Sequence, residues 1–159
     1  MADFRVGTGF DAHALVDGVP LVLGGVEVPY PRGLAGHSDG DVLAHALTDA
    51  LLGAAGLEDI GALFPSGDPR WKGASSLHLL AEAWRSVREH GWELANADCV
   101  LIGEEPRLAP HRDAMRAALS RAIDVDPALV AVRATTTDGL GFTGRGDGLA
   151  AQVVALLRR

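Results

Sequence analysis

Apolar side chains recur at intervals of three and four residues within 38–56, which predicts an amphipathic helix there. Ser38 is the expected N-cap, and Asp41 stands where a capping box places its acid. Gly53 and Gly56 are expected to end the helix. This stretch carries the densest polar chemistry of the chain, so the candidate site is organised around it.

The rest of the chain alternates between helical and strand-like periods. The pattern predicts helices over 75–90 and from Pro110, and strands over 4–10, 19–23, 26–28, 98–102 and 129–134. Residues 57–72 are predicted to be a loop, and 149–157 fits a helix or a strand on pattern alone. Because strands and helices interleave, we expect one domain over 1–159 of the α/β (α+β) class. Its expected form is a two-layer sandwich, a mixed sheet of four to five strands with helices on one face.

Composition narrows the function classes. The chain has 159 residues, 48% of them hydrophobic, and a formal net charge of -7, which favours a folded globule and argues against a nucleic-acid partner. No apolar run approaches a membrane span, and no segment has the pattern of a signal peptide. The single cysteine, Cys99, is expected to be a buried hydrophobe in a reducing compartment, so we expect a cytoplasmic protein.

Three residues form a candidate metal site. Asp11 and His13 are two positions apart after a strand-like run, so their side chains point the same way. With His45 on the helix they make two imidazoles and a carboxylate, the ligand set of a catalytic zinc site with one open position. Asp41 and Asp49 lie four residues on either side of His45 and are predicted to orient its ring by hydrogen bonds. Taken alone, the helix residues fit a solvated helix face better, because Asp and His four residues apart are common on exposed helices.

A series of motifs makes the interpretation specific. The motifs are Gly9-Phe10-Asp11-Ala12-His13, His37-Ser38-Asp39-Gly40-Asp41, His45 to Ala50, Asp59-Ile60-Gly61, Phe64 to Asp68, Thr135-Thr136-Thr137-Asp138 and Gly141 to Gly146. In this order they resemble the 2-C-methyl-D-erythritol 2,4-cyclodiphosphate synthase family over nearly the whole chain. The resemblance also favours a strand for 149–157.

The resemblance implies a reaction and its cations. The substrate would be 4-diphosphocytidyl-2-C-methyl-D-erythritol 2-phosphate, whose 2-phosphate attacks the β-phosphorus, releases CMP and leaves a cyclic diphosphate of the non-mevalonate pathway. The implied cofactors are one Zn²⁺ per subunit at Asp11, His13 and His45, and Mg²⁺ or Mn²⁺ at Asp138, where the family pattern has Glu. Cations suit this reaction because its difficulty is crowded negative charge.

The resemblance also assigns the remaining site residues. His37 and Thr136 would be catalytic residues that steady the transferring phosphate. The substrate-binding residues would be Asp11, His13, His37, Ser38, Asp59, Ile60, Gly61, Phe64, Pro65, Ser66, Gly67, Asp68, Gly103, Glu104, Glu105, Pro106, Arg107, Leu108, Ala109, Thr135, Thr136, Thr137, Asp138, Phe142 and Arg145. Within this set, residues 103–109 would hold the cytosine base.

The expected assembly is a homotrimer whose sheets face the axis and whose active sites lie between subunits. The residues support it because 149–157 is apolar on nearly both faces, while three helices cover only one side of a small sheet. Two other functions stay open at this stage. A zinc hydrolase of a phosphorylated substrate could use the same ligands, and a non-catalytic sensor could bind the cytidine nucleotide.

Overall fold

Five strands form one mixed sheet in the computed structural model, which describes all 159 residues. The chain has seven strands in all: β1 (Phe4–Asp17), β2 (Leu21–Leu23), β3 (Val26–Val28), β4 (Arg32–Leu34), β5 (Glu93–Ile102), β6 (Val130–Thr135) and β7 (Gly148–Arg158). The α-helices are α1 (Val42–Ala55), α2 (Ile60–Leu63), α3 (Ser76–Glu89), α4 (Arg112–Ala122) and α5 (Gly141–Gly144). The predicted mixed sheet and the strand over 149–157 are therefore confirmed.

The sheet order is β4-β1-β7-β5-β6, and β2 and β3 form a separate hairpin. β1 pairs antiparallel with β4 and β7, β5 pairs antiparallel with β7, and β5 pairs parallel with β6. His13 lies opposite Leu149, while Ile102 lies opposite Ala150 on one side and Thr135 on the other. The polar segments that follow β5 and β6 are thus at the same end of the sheet as His13.

Two glycines allow α1 to lie directly on β1. A Cβ added at Gly7 would be 2.1 Å from the carbonyl oxygen of Ala50, and one at Gly9 would be 1.9 Å from that of Ala46. Both distances are far below any van der Waals contact, so only glycine permits this approach. Gly7 and Gly9 face the helix in the same alternation as Asp11 and His13. The close packing therefore brings the helix within reach of the candidate metal ligands.

The opposite face of the sheet is open in the single chain. Phe4, Val6 and Phe10 of β1 are 56%, 69% and 59% exposed, and Val154 of β7 is 43% exposed. Thr8 is the register partner of Val154, so these apolar side chains are neighbours on one surface. The helix side, in contrast, packs into one continuous hydrophobic core.

Several predicted element boundaries are wrong. Helix α1 begins after Asp41, which is its N-cap, so Ser38 does not cap it. Gly53 lies inside α1, and Gly56 alone ends it in a left-handed conformation with φ 73°. β1 extends to Asp17, β4 was not predicted, and the predicted loop 57–72 contains the short helix α2.

Cys99 is fully buried in β5, as predicted, and burial raises the pKa of its thiol to about 12.

None of the five α-helices combines the length and the hydropathy needed to cross a bilayer.

Candidate active site

The three predicted metal ligands come together where β1 meets α1. Oδ2 of Asp11 lies 3.0 Å from Nε2 of His13 and 3.1 Å from Nδ1 of His45. One ligand atom from each residue lies within 4.8 Å of the others. Their side chains are 25%, 24% and 15% exposed, so the cluster is partly shielded but open to solvent.

The donor set and its spacing fit a tetrahedral zinc ion. Nitrogen and oxygen ligands about 2.0–2.1 Å from such an ion are separated from each other by about 3.3 Å. The observed separations of 3.0 and 3.1 Å are close to that value. Three protein ligands also leave a fourth position for another oxygen. The structure thus contains a triad of the predicted composition that could hold a metal ion.

The triad perturbs the acidity of its own members. Burial acts to raise the pKa of Asp11, but the hydrogen bonds and charges of His13 and His45 outweigh it and lower that pKa to about 2. The hydrogen bond that the His13 ring donates to Asp11 in turn raises the pKa of His13 above its usual 6.5. In the absence of metal, the carboxylate and the His13 imidazolium stabilise each other.

These shifts predict a pH optimum for the stability of the metal-free protein. The ionised Asp11 adds at most about 2 kcal/mol to the free energy of unfolding. This contribution is complete above the unfolded pKa of 3.8 and is lost as the pH falls through the folded pKa of about 2. The His13 contribution is complete below 6.5 and is lost as the pH rises through its raised folded pKa. Urea unfolding from pH 2 to 8 measures both losses. His13→Gln should reduce both, whereas His78→Gln, at an exposed position of α3, should not. A His13→Gln profile identical to that of the unchanged protein would contradict this account.

Asp41 does not orient His45, contrary to the prediction. Its fully buried carboxylate accepts hydrogen bonds from the backbone N–H groups of Leu43 and Ala44 at the start of α1. It also accepts from Gly24 and Gly25 in the turn between β2 and β3. Burial raises the pKa of Asp41 to about 6, although the backbone donors act against this. The residue therefore joins the hairpin to the helix that carries His45.

Asp49 has no hydrogen bond with His45 either. Its Oδ1 accepts a 2.8 Å hydrogen bond from the backbone N–H of Ile60. Asp49 therefore anchors the start of α2 and the loop beyond it. Asp41 caps α1 and Asp49 lies within it, but backbone N–H groups, not His45, determine where their carboxylates point.

The segment 57–72 closes one side of a cavity of about 260 Å³ next to the triad. Its lining residues are His13, His37, Ser38, His45, Ile60, Gly61, Phe64, Ser66, Trp71 and Leu79. His37 is held there because its Nε2 lies 3.3 Å from the carbonyl oxygen of Asp68 and its own carbonyl accepts from Gly73. Several of the predicted substrate-binding residues are thus brought to the triad.

Two of the predicted substrate-binding acids, Asp59 and Asp68, have local structural partners. Asp59 caps α2 by accepting from the N–H of Ala62. Asp68 accepts hydrogen bonds from the backbone and the guanidinium of Arg70, which lower its pKa. Pro65 and Gly67 lie between them in the exposed part of the loop.

A second cavity, of about 520 Å³, lies beyond the ends of β5 and β6. It is lined by Gly103, Glu104, Glu105, Pro106, Arg107, Leu108, Ala109, Ala134, Thr135 and Thr136. All seven predicted base-pocket residues therefore line one cavity. It shares no residue with the cavity next to the triad. Within one chain the two predicted halves of the substrate site are separate.

The threonine-rich segment is held beside this second cavity. Oε1 of Glu104 accepts from the backbone N–H groups of Thr137 and Gly139, at 3.3 and 3.2 Å. Asp138 between them is exposed, has a φ of 53°, and lies 3.3 Å from the hydroxyl of Thr136 through its Oδ1. Asp138 is not part of the metal-binding triad.

Phe142 and Arg145 do not line either of these two cavities. Phe142 contributes to a separate shallow cavity with Ala12, His13 and Gly148. Arg145 is exposed and donates a 3.0 Å hydrogen bond to Asp147. In the single chain, Phe142 is therefore near His13 of the triad, whereas Arg145 has only a local ion-pair partner.

Sequence reasoning missed three residues at the triad. Asp39 and Ser76 lie behind the His45 ring and hydrogen-bond to each other. Trp71 packs edge-on against Phe64, and its buried Nε1 has no hydrogen-bond partner. Asp39 belongs to the motif His37-Ser38-Asp39-Gly40-Asp41, but nothing in that motif indicated its role. Ser76 is 31 residues from His45, and no spacing rule connects these two residues.

Comparison with known proteins identifies the class of this fold and site. The sequence model of the YgbB family matches residues 4–158, so the chain belongs to that family. The 2-C-methyl-D-erythritol 2,4-cyclodiphosphate synthase of Moorella thermoacetica is 60% identical over 153 residues, which are 96% of this chain and 94% of that protein. The protein of the same name from Geobacillus kaustophilus is 54% identical over 98% of this chain and 99% of its own. The resemblance inferred from the motifs is confirmed.

Solved structures agree with the fold. A 2C-methyl-D-erythritol-2,4-cyclodiphosphate synthase in a CDP-bound form matches with a TM-score of 0.88 and 44% identity, covering 96% of this chain and 99% of that one. The bifunctional IspDF of Campylobacter jejuni matches with a TM-score of 0.96 and 44% identity. That match covers 99% of this chain but only 43% of the longer protein.

Proposed function

We propose that this protein converts 4-diphosphocytidyl-2-C-methyl-D-erythritol 2-phosphate to 2-C-methyl-D-erythritol 2,4-cyclodiphosphate and releases CMP. The observation that carries the proposal is the 60% identity to a synthase of that name across 96% of this chain. The predicted enzyme class and pathway agree with the names of its relatives. The test is incubation with the substrate, followed by phosphorus NMR.

The two alternatives are less well supported. A zinc hydrolase would use the same Asp11, His13 and His45 triad, but the curated relatives that match nearly the whole chain are named as synthases. A nucleotide sensor would need a base pocket and no metal site, whereas this chain has both a cavity lined by residues 103–109 and a triad that could hold a metal ion.

We assign the metal triad to zinc, one ion per subunit. Asp11 and His13 approach from β1 and His45 from α1, and the partial exposure of all three leaves the open side toward the cavity. A zinc ion bound there would supply a Lewis acid that withdraws charge from a phosphate oxygen. The chain itself contributes the fixed geometry, since the backbone contact between β1 and α1 sets where the three side chains meet.

His37 and Thr136 are the proposed catalytic residues. The His37 ring lines the cavity next to the triad and can donate to an oxygen of the transferring phosphate. Thr136 is exposed at the edge of the base pocket, where its hydroxyl and the following backbone can donate in the same way. The attacking group is itself a phosphate anion, so the reaction needs no strong general base.

We propose that Asp138 holds the second cation, Mg²⁺ or Mn²⁺, with the diphosphate. Its exposed carboxylate is outside the triad, which is consistent with a separate ion. Asp138→Asn should keep stoichiometric zinc but require at least about tenfold more Mg²⁺ for half-maximal turnover, because an amide is a weaker ligand than a carboxylate. Asp138→Glu, which keeps the charge, is the matched control. An Asp138→Asn titration that coincides with that of the unchanged protein would remove Asp138 from the site.

The proposed assembly is a homotrimer. An apolar surface of a kind that monomers rarely expose is formed by Phe4, Val6, Phe10 and Val154. Two further copies of the chain would cover this surface. The separate cavities give a second reason, since a neighbouring subunit could place its base pocket against this triad. The cytoplasmic location expected from the sequence stays a prediction.

Mixing two inactive variants tests the shared site. His45→Ala removes the metal half, and Ala109→Trp fills the base pocket. Ala109 is preferred over Gly103, where an added Cβ would meet Leu149 at 2.2 Å. Each variant alone should be inactive. A mixed trimer has one interface at which both halves are intact, so co-refolding should restore activity at about a third of its sites. Mixed trimers that are verified by native mass spectrometry but remain inactive would show that the site is not shared.

A further inference from the structure

The side of the His45 ring that faces away from Asp11 is enclosed by polar groups. Nε2 of His45 lies 2.7 Å from the hydroxyl of Ser76 and 3.1 Å from that of Ser38. Ser76 is fully buried, and its hydroxyl also bonds to Oδ1 of Asp39. The chain Asp39–Ser76–His45 thus ends at a proposed metal ligand.

The direction of the protons along this chain follows from chemistry. An ionised carboxylate only accepts hydrogen bonds, so the single hydroxyl proton of Ser76 is donated to Asp39. The Ser76 oxygen can then only accept from the ring, which requires a proton on Nε2 of His45. A neutral imidazole protonated at Nε2 has its lone pair on Nδ1, the atom that faces Asp11 at 3.1 Å.

We propose that Asp39 and Ser76 are positioning residues that hold His45 in the Nε2–H tautomer and make Nδ1 its metal-binding atom. The inference rests on the proposed zinc function of the triad. It also explains an otherwise unfavourable contact, because an Nδ1 lone pair and the Asp11 carboxylate attract each other only through a cation between them.

Both positioning residues are themselves fixed. Asp39 accepts from the backbone N–H groups of Ser76 and Asp41, at 3.0 and 3.2 Å. It thereby satisfies the first turn of α3, where the N-cap Ser75 makes no side-chain cap. Because Ser76 is the first residue of α3, the same contacts that start this helix also set the rotation of the His45 ring on α1.

The direct test is the position of the ring proton of His45 in the full-length protein loaded with zinc, because without a cation the Asp11 carboxylate would itself favour a proton on Nδ1. Long-range ¹⁵N–¹H correlation spectra distinguish a neutral ring protonated at Nε2 from one protonated at Nδ1. We expect the Nε2–H form, and a ring protonated at Nδ1 would overturn the proposal. This measurement does not depend on turnover. A failure of the synthase function, seen as unchanged substrate, is therefore distinguishable from a failure of the positioning pair.

Two variants extend the test to the metal. Ser76→Ala removes the acceptor for Nε2–H, and Asp39→Asn lets the serine hydroxyl donate to the ring. Each should give a mixture of tautomers and weaken Co²⁺ binding by about 10–100-fold, measured by chelator competition and by the visible spectrum of the Co²⁺ ion. Ser75→Ala, one residue away and without a capping bond, should match the unchanged protein. Folded variants that keep a pure Nε2–H ring and full Co²⁺ affinity would overturn the proposal.

Discussion

Replacing His45 with alanine is expected to abolish zinc binding and ring closure together while the fold is retained. The ring supplies one of three ligand atoms that lie within 4.8 Å of one another, and no other histidine or acid is close enough to replace it. His45 is partly exposed, so its truncation leaves no large buried void. Metal affinity should fall by more than about 100-fold, beyond the effect of changing only a residue that supports a ligand. Turnover should fall by at least about 10³-fold.

Metal analysis and circular dichroism on the same sample separate these effects. His78→Ala is the matched control, because His78 is exposed on α3 and is not part of the triad. It should keep both zinc and activity. Stoichiometric zinc in His45→Ala would contradict the assignment of this ligand, whatever its activity.

Gly9→Ala is expected to damage the fold and the site at once. The new Cβ would lie 1.9 Å from the Ala46 carbonyl oxygen and 2.8 Å from its carbon, both of which belong to the backbone of α1. No rotamer change relieves a backbone contact, so α1 must move away from β1. His45 is on the same turn as Ala46 and would move away from Asp11. We expect the free energy of unfolding to fall by about 3 kcal/mol or more.

Gly53→Ala is the control on the same helix. Its added Cβ would meet only the carbonyl oxygen of Thr8, at an ordinary 3.9 Å. Because alanine favours a helix over glycine, Gly53→Ala should raise the free energy of unfolding by about 0.5–1 kcal/mol. Urea unfolding and Co²⁺ affinity of both variants measure the effects. A Gly9→Ala protein with unchanged stability and affinity would show that α1 does not need its close contact with β1.

The metal-binding triad was predictable from the sequence because it depends on local geometry. The alternation of side chains in a strand places Asp11 and His13 on one face, and the structure confirms that they lie together with His45. The helical period likewise located α1 within a few residues. Both inferences need only the regular spacing of one element.

The support of the site was not predictable in the same way. Asp41 accepts hydrogen bonds from the turn between β2 and β3, and Asp49 accepts one from the start of α2. Ser76 contacts His45 from another helix, α3. Such partners depend on how distant elements pack against one another. The spacing of residues within one helix carries no information about that packing. The start of α1 was misplaced for the same reason, since Asp41 takes the capping position with help from the hairpin.

Turnover of the diphosphocytidyl substrate, followed by phosphorus NMR, tests the central claim most directly. The protein is incubated with zinc and Mg²⁺, and His45→Ala is run in parallel. We predict equimolar appearance of CMP and of two coupled diphosphate resonances from the cyclic product, with none in the His45→Ala sample. Open-chain phosphates instead of the ring would indicate a hydrolase. Substrate that binds but stays unchanged would indicate a nucleotide sensor, and either result would contradict the account.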